Sequence, residues 1–145
     1  MRGFDRVLVP LDFSDGRSEI FDVAMRVRSD TGKILLLHVI EWLPQVTEGT
    51  FGVYAHRSDM EKYKSQAQAR LERYRRQHAD VPIECFVREG KPATTILEEI
   101  DEQEPDIVVM GTHGRSRLDH LLIGSVAERV LRRAGRPVLA VPFRG

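Results

Sequence analysis

Three glycines and a serine near the C-terminus form the segment of this sequence best suited to chemistry. Gly111, Gly114 and Gly124 punctuate it, and Ser125 stands just before a predicted helix that begins at Val126. Glycines let backbone amides approach a ligand closely, and the free N–H groups and positive dipole end of a helix start attract phosphate. The spacing therefore predicts phosphate binding.

The same residues have a purely structural interpretation. Ser125 and Glu128 match a capping box, Ser-x-x-Glu, in which the serine side chain caps the helix and the glycines serve only as tight turns. A short motif does not decide between the two interpretations. They are also compatible, because a capped helix leaves other N–H groups free.

Strands and helices that alternate along the chain would position this segment. Apolar runs predict strands at 6–10, 34–40, 83–87, 106–110 and 137–141. Helical spacing predicts helices between successive strands, and Pro44, Gly49 and Gly52 predict a long loop over 43–55. This order selects an α/β fold with a parallel sheet and right-handed crossovers. Ligands bind such sheets where the strand order reverses, so the loops after strands one and four are the first candidates.

Composition limits the class of protein. The 145 residues suit a single domain, 1–145, and 22 basic against 22 acidic side chains favour neither nucleic acid nor an anionic membrane as a partner. No apolar stretch has the length of a signal peptide at the start or of a membrane span elsewhere. One cysteine, Cys85, suits a reducing compartment. We expect a cytoplasmic protein.

The glycine pattern resembles a known signature. Gly111, Gly114, Gly124 and Ser125 follow the spacing Gly-x2-Gly-x9-Gly-Ser, which is similar to the ATP-binding signature of the universal stress protein family, in its ATP-binding branch. The resemblance covers the whole chain. It includes Val9-Pro-Leu-Asp-Phe-Ser14 with Ser18, His38-Val39, and Arg136-Pro-Val-Leu-Ala-Val-Pro142.

That resemblance implies a fold and a ligand. The fold would be a single-domain, Rossmann-like, adenine nucleotide alpha hydrolase-like sheet of order 3-2-1-4-5 with helices on both faces. ATP would lie between strands one and four, with Asp12 near the ribose and phosphates, where it would also help to hold Mg²⁺. The implied nucleotide-binding residues are Pro10, Leu11, Asp12, Val39, Met110, Gly111, His113, Gly114, Arg115, Gly124, Ser125 and Val126.

Other polar side chains have simpler interpretations. Asp12 could be a plain helix-start residue, but its position at the carboxyl end of the first strand favours a functional role. His38, inside a strand, is expected to be packed and hydrogen-bonded, and the histidines and Cys85 lack zinc-site spacing, so we expect no protein-bound transition metal. Cys85 shares a strand face with core residues. Four arginines of the second helix are expected to be solvated: Arg70, Arg73, Arg75 and Arg76.

The last predicted strand would form a sheet edge. An apolar edge invites pairing with a second copy, and the family resemblance also implies a homodimer through this strand. Pro142 offers the alternative that it ends the strand and blunts the edge.

A nucleotide-binding regulatory module is the predicted function. ATP occupancy would alter the glycine loop, and an unidentified protein partner would sense the change during stress or energy limitation. A Walker A loop and a dinucleotide glycine motif after strand one are absent from the sequence. A receiver domain would need an aspartate ending strand three, where the chain has Arg88 and Glu89.

The alternative is an enzyme of the same fold: a slow ATPase, or an autophosphorylating protein. Ser125, Ser116 or Thr112 would then be the phosphate acceptor. The sequence offers no evident base and no lysine near the phosphates, since Lys33 and Lys91 lie on other segments. We therefore expect no catalytic residues.

Overall fold

A computed structural model describes residues 2–13, 17–41, 51–112 and 123–142 of the chain. Strands and helices alternate along it, as the apolar periodicity predicted. In chain order they are β1 (Phe4–Pro10), α1 (Arg17–Val27), β2 (Arg28–Ile40), α2 (Phe51–Gln77), β3 (Ile83–Glu89), α3 (Pro92–Gln103), β4 (Ile107–Gly111), α4 (Ser125–Arg133) and β5 (Val138–Val141).

The strands form one five-stranded parallel sheet of order β3-β2-β1-β4-β5, which confirms the predicted fold class. β1 lies at the centre, where Val7 is in register with Ile34 of β2 on one side and Ile107 of β4 on the other. The chain moves outward through β2 to β3, then returns to β4 and continues to β5.

Helices cover both faces of the sheet. Val7 and Val9 point into a core shared with Ile20, Phe21 and Leu71, which are supplied by α1 and α2. The other core cluster joins the alternate strand residues to α3 and α4, and it contains Leu8, Leu35, Leu37, Ile96, Ile100, Val108, Met110, Ala127 and Val130. Because the central strands are buried on both sides, their sequences show continuous apolar runs rather than alternation.

Two boundaries differ from the sequence prediction by more than two residues. α2 begins at Phe51, so the last part of the expected 43–55 loop is helical, while 42–50 lies outside the described residues. β2 begins at Arg28 rather than Ile34. Its first residues are polar, and they approach the start of β1 so closely that a Cβ on Gly32 would lie 2.6 Å from the Phe4 carbonyl oxygen.

Helical spacing in the sequence predicts that one face of α2 carries Met60, Tyr63, Ala67, Leu71 and Tyr74, and this face is buried only in part. Ala67 and Leu71 are buried, and the Tyr74 ring lies 4.8 Å from that of Phe21. Tyr63, expected on the same face, is 49% exposed. Within the described ranges, no helix has the length and apolar character needed to span a membrane.

Candidate functional site

The carboxyl ends of β1 and β4 lie side by side in the sheet. The chain leaves β1 for the face covered by α1 and α2, whereas it leaves β4 for the face covered by α4. Connections that diverge in this way open a crevice between two adjacent strands. The strand order of this sheet reverses between β1 and β4, which is the position where the sequence predicted a ligand.

The end of β1 is held tightly against β2. Pro10 is in register with Leu37, and the Leu11 amide donates a hydrogen bond to the Leu37 carbonyl at 2.8 Å. Leu11 is buried, while Pro10 and Asp12 are half-buried. The sheet therefore carries Asp12 to its carboxyl edge on a fixed backbone.

β2 contributes Val39 and His38 at the same edge. Val39 is half-buried and packs against the core on the α3 and α4 face. His38 is buried on the opposite face, where its Nδ1 lies 2.7 Å from the Leu11 carbonyl oxygen. Since a carbonyl only accepts, Nδ1 carries the proton and donates. The expectation of a packed, hydrogen-bonded histidine is confirmed.

Phe13 takes part in an arrangement that the sequence did not predict. Its ring stacks on His38 with centroids 4.1 Å apart, and the Arg70 guanidinium of α2 lies 4.0 Å from the same ring's centroid. Arg70 is exposed, as expected of the basic stretch, and the contact with Phe13 is an additional role that the sequence did not indicate. Phe13 has a φ of 62°, a left-handed conformation that costs a non-glycine residue roughly 1 to 2 kcal/mol.

The beginning of α4 is tied back to the end of β4. The Thr112 amide donates to the Val141 carbonyl at 3.1 Å, and the Thr112 carbonyl accepts from the Gly124 amide at 2.7 Å. Met110 is buried and Gly111 is in register with Val141. The bond to Gly124 therefore fixes the helix start beside the last residues of the central strands.

The capping-box interpretation is wrong in this geometry. Gly124, in extended conformation, is the N-cap of α4, and its carbonyl accepts the first helical hydrogen bond from the Glu128 amide at 2.9 Å. Ser125 is consequently the first helical residue, one position before the predicted start at Val126. The Glu128 carboxylate instead pairs with Arg132 at 2.9 Å, one turn further along the helix.

These bonds define which amides remain for an anion. By helix geometry the N–H groups of the first turn have no acceptor inside the helix. The Gly124 amide is already used by Thr112, which leaves those of Ser125, Val126 and Ala127. Ser125 is exposed, and its position at the positive end of the helix dipole suits a phosphate group.

The structure brings nine of the twelve predicted site residues to one edge of the sheet. These are Pro10, Leu11, Asp12, Val39, Met110, Gly111, Gly124, Ser125 and Val126. His113, Gly114 and Arg115 lie outside the described residues, as does Ser116. The sequence prediction missed Phe13 and Arg70; an apolar residue directly after a strand was a signal for Phe13, but nothing near Arg70 indicated its partner.

Cys85 is not part of this edge. It lies within β3, is half-buried and packs against the core on the α1 and α2 face, as predicted. Burial raises the pKa of its thiol to about 11. At neutral pH the sulfur is therefore protonated, which makes it a poor nucleophile and a poor metal ligand.

An open parallel sheet with a reversal between β1 and β4, and with a helix start held at that reversal, defines a doubly wound, Rossmann-like α/β protein. The particular family follows from comparison with known sequences. The chain belongs to the universal stress protein family, whose model matches residues 3–142.

Individual relatives agree with this assignment. Universal stress protein MJ0531 of Methanocaldococcus jannaschii is 30% identical over 139 residues, covering 95% of this chain and 82% of that protein. The structure of MJ0577 from the same organism has a TM-score of 0.81 at 24% identity and covers 97% of each chain. An AMP-bound universal stress protein family member from Arabidopsis thaliana has a TM-score of 0.66 at 22% identity, covering 97% of this chain and 92% of that one.

Proposed function

We propose that this protein binds an adenine nucleotide, ATP, at the carboxyl edge between β1 and β4 and acts as a nucleotide-dependent regulatory module in the stress response. The observation that carries the proposal is the 2.7 Å hydrogen bond from Gly124 to Thr112. It holds the free amides of the α4 start at the end of β4, and β4 is the sheet neighbour of β1, the strand that leads to Asp12. Family membership and the AMP bound to the Arabidopsis relative support the adenine moiety.

Each part of the nucleotide has a proposed partner. The backbone around Pro10, Leu11 and Val39 receives adenine, and Asp12 approaches the ribose and helps to hold Mg²⁺ through the phosphates. Met110 and Gly111 form the floor at the end of β4. The phosphate path is lined by Gly111, His113, Gly114 and Arg115.

The role of Gly124 is revised by its hydrogen bond. Its amide donates to Thr112, so we assign the phosphate contacts of the helix start to the amides of Ser125 and Val126. Gly124 then acts as the residue that orients the helix. This distinction predicts that the Ser125 side chain is dispensable, whereas a negative charge introduced at its position would weaken phosphate binding.

Binding rather than turnover is the proposed activity. Bound ATP is expected to remain intact over long incubation with the protein. In the cytoplasm, an unidentified protein partner would bind the nucleotide-occupied form of a homodimer paired through β5. Steady ADP production, or label transferred to the protein and lost in Ser125→Ala, would instead support the slow ATPase or autophosphorylating alternative.

The proposal is tested by calorimetric titration of MgATP into protein freed of co-purified nucleotide by unfolding and refolding. Ser125→Asp places a carboxylate at the first position of α4. There it interacts favourably with the helix dipole, by about 0.5 kcal/mol, yet it repels phosphate. We expect the thermal midpoint of the variant to be equal or higher and its ATP affinity to be lower by about tenfold or more.

Three controls sharpen this test. Ser125→Ala should bind as the wild type does, because backbone amides make the contacts. Thr94→Asp adds the same charge near the start of α3, which follows β3. Because β2 lies between β3 and β1, this position is away from the proposed site, and the variant should bind ATP with unchanged affinity. Adenosine should bind wild type and Ser125→Asp equally. Absence of saturable ATP binding by the wild type would refute the proposed function, and an unaffected Ser125→Asp would refute the position of the phosphates.

A further inference from the structure

Asp12 lies between two residues that one buried side chain holds in place. The carbonyl of Leu11 accepts a hydrogen bond from His38 at 2.7 Å, and the ring of Phe13 stacks on the same imidazole at 4.1 Å. Backbone on both sides of Asp12 is thereby fixed relative to β2. No other residue of the proposed nucleotide site has, among the contacts described, both of its neighbours held by a single side chain.

The Phe13 ring has a second partner on its other side. Arg70 of α2 places its guanidinium carbon 4.0 Å from the ring centroid, which is well within cation–π range. The ring also packs against the core on the α1 and α2 face. His38, Phe13 and Arg70 therefore form a layered contact, here called the Phe13 stack, that joins β2, the β1 loop and α2.

The backbone conformation of Phe13 indicates that the Phe13 stack holds the chain in place. A φ of 62° is uncommon for a residue with a large side chain, and such conformations persist only where the surroundings enforce them. This left-handed residue directly follows Asp12. Loss of the ring contacts would let Phe13 return to an ordinary conformation and would change the direction in which the chain leaves Asp12.

We infer that the Phe13 stack positions Asp12 for the nucleotide and makes nucleotide affinity depend on the docking of α2 through Arg70. This inference rests on the proposed function, in which Asp12 contacts the ribose and the Mg²⁺-bound phosphates. Arg70, Phe13 and His38 are positioning residues in this scheme, since they act through Asp12. Arg70 itself is exposed and lies on a helix that supplies no residue to the nucleotide site.

The test measures the dissociation constant for MgATP by calorimetry in a set of variants. Phe13→Leu keeps an apolar side chain but removes the ring, and Arg70→Gln removes the cation from an exposed position without threatening the fold. Arg70→Lys restores a cation. Arg73→Gln is the matched control, because Arg73 is another exposed arginine of α2 and its loss changes the net charge equally.

We expect Arg70→Gln to weaken binding about threefold, the worth of an exposed cation–π contact, with Arg70→Lys restoring much of the loss. Phe13→Leu should weaken binding about tenfold, since it removes both ring contacts. Arg73→Gln should bind as the wild type does. The double variant Phe13→Leu/Arg70→Gln should be no weaker than Phe13→Leu alone, because Arg70 acts only through the ring.

Measurements in an Asp12→Ala background distinguish an effect on the position of Asp12 from a general loss of stability. In Asp12→Ala protein, Phe13→Leu should produce no further loss of affinity if the stack acts through Asp12. An equal loss in both backgrounds would overturn the inference, as would a double variant weaker than Phe13→Leu, which would mean that Arg70 attracts phosphate directly. Wild-type affinity in both Phe13→Leu and Arg70→Gln would also overturn it while leaving the proposed function intact. A wild type that binds no nucleotide would overturn both.

Discussion

Gly90, directly after β3, has a backbone that other residues avoid. Its φ is 151°, its amide donates to the Ile40 carbonyl at 3.1 Å, and a Cβ built on it would lie 2.4 Å from Oγ1 of Thr95. Thr95 is itself buried on α3. The position therefore excludes a side chain for two separate reasons, the backbone conformation and the lack of space.

These two reasons can be separated by experiment. Gly90→Ala should lower the free energy of unfolding by about 3 kcal/mol, through backbone strain and overpacking together. In a Thr95→Ala background the same change should cost only about 1 kcal/mol, because the clash is gone and only the strain remains. Urea denaturation of the four proteins gives the coupling. Equal costs in both backgrounds would show that Thr95 does not occupy the space.

Residue roles were predictable from sequence where a residue interacts with its own element. His38 lies inside a continuous apolar run, and Cys85 alternates with Ile83 and Val87 on one strand face, which indicated that both are packed. The N-cap was predicted one position too late, at Ser125, because the glycine that fills the N-cap position uses backbone alone and leaves no side-chain signal. Arg70 and Phe13 are far apart in sequence, so periodicity carried no information about their contact.

At the scale of elements, an ion pair joins β3 to α3. Arg88 Nε lies 2.7 Å from Oε1 of Glu99, and the Gln103 amide donates to the other carboxylate oxygen at 3.3 Å. The Glu99 side chain is 9% exposed and that of Arg88 is 42% exposed. The carboxylate thus depends on protein partners, whereas the guanidinium also reaches water.

This asymmetry predicts unequal effects of removing each partner. Arg88→Met should lower the free energy of unfolding by about 2 kcal/mol, because it leaves a buried carboxylate without its cation; the partial exposure of the pair reduces the usual value. Glu99→Met should cost about 1 kcal/mol or less, since Arg88 can turn to solvent. The double variant should be closer to wild type than Arg88→Met. Chemical denaturation provides the values, and a double variant less stable than Arg88→Met would contradict the prediction.

The prediction of element boundaries was accurate within the apolar pattern and failed where that pattern ends. The polar start of β2 at Arg28 is a strand because it pairs with β1, and pairing between distant segments has no local signature. Phe51 begins α2 despite Gly52, since the length of the helix outweighs one unfavourable residue. Tyr63 fits the helical period of the buried face but is exposed, whereas the buried residues described on α2, Ala67 and Leu71, lie on later turns.

At the scale of the whole molecule, the sheet ends at β5, whose residues alternate between main-chain groups that face β4 and main-chain groups that face away from the sheet. The carbonyls of Pro137 and Val141 accept from the amides of Val108 and Thr112, so the odd-numbered residues of β5 turn their main-chain groups inward. Those of Val138 and Ala140 then point outward from the sheet. We propose that these groups pair with β5 of a second copy.

Ala140→Pro tests that dimer. Proline removes one outward amide and is tolerated at an edge, so the variant should sediment as a folded monomer at concentrations where the wild type is a dimer. Ala140→Val keeps the amide and should remain dimeric. Leu139→Pro should instead reduce stability, because it removes an inward amide. A dimer unaffected by Ala140→Pro in analytical ultracentrifugation would exclude pairing through this edge.

The adjacency of β1 and β4 also has a consequence for synthesis. Val7 and Ile107 are neighbours in the sheet, although most of the chain separates them. At ordinary ribosomal rates β1 emerges on the order of ten seconds before its partner. The crevice between these strands cannot exist in a nascent chain, so only a polypeptide made through β4 and α4 could take up nucleotide. Binding of nucleotide would then require that synthesis has passed α4, in addition to a supply of nucleotide.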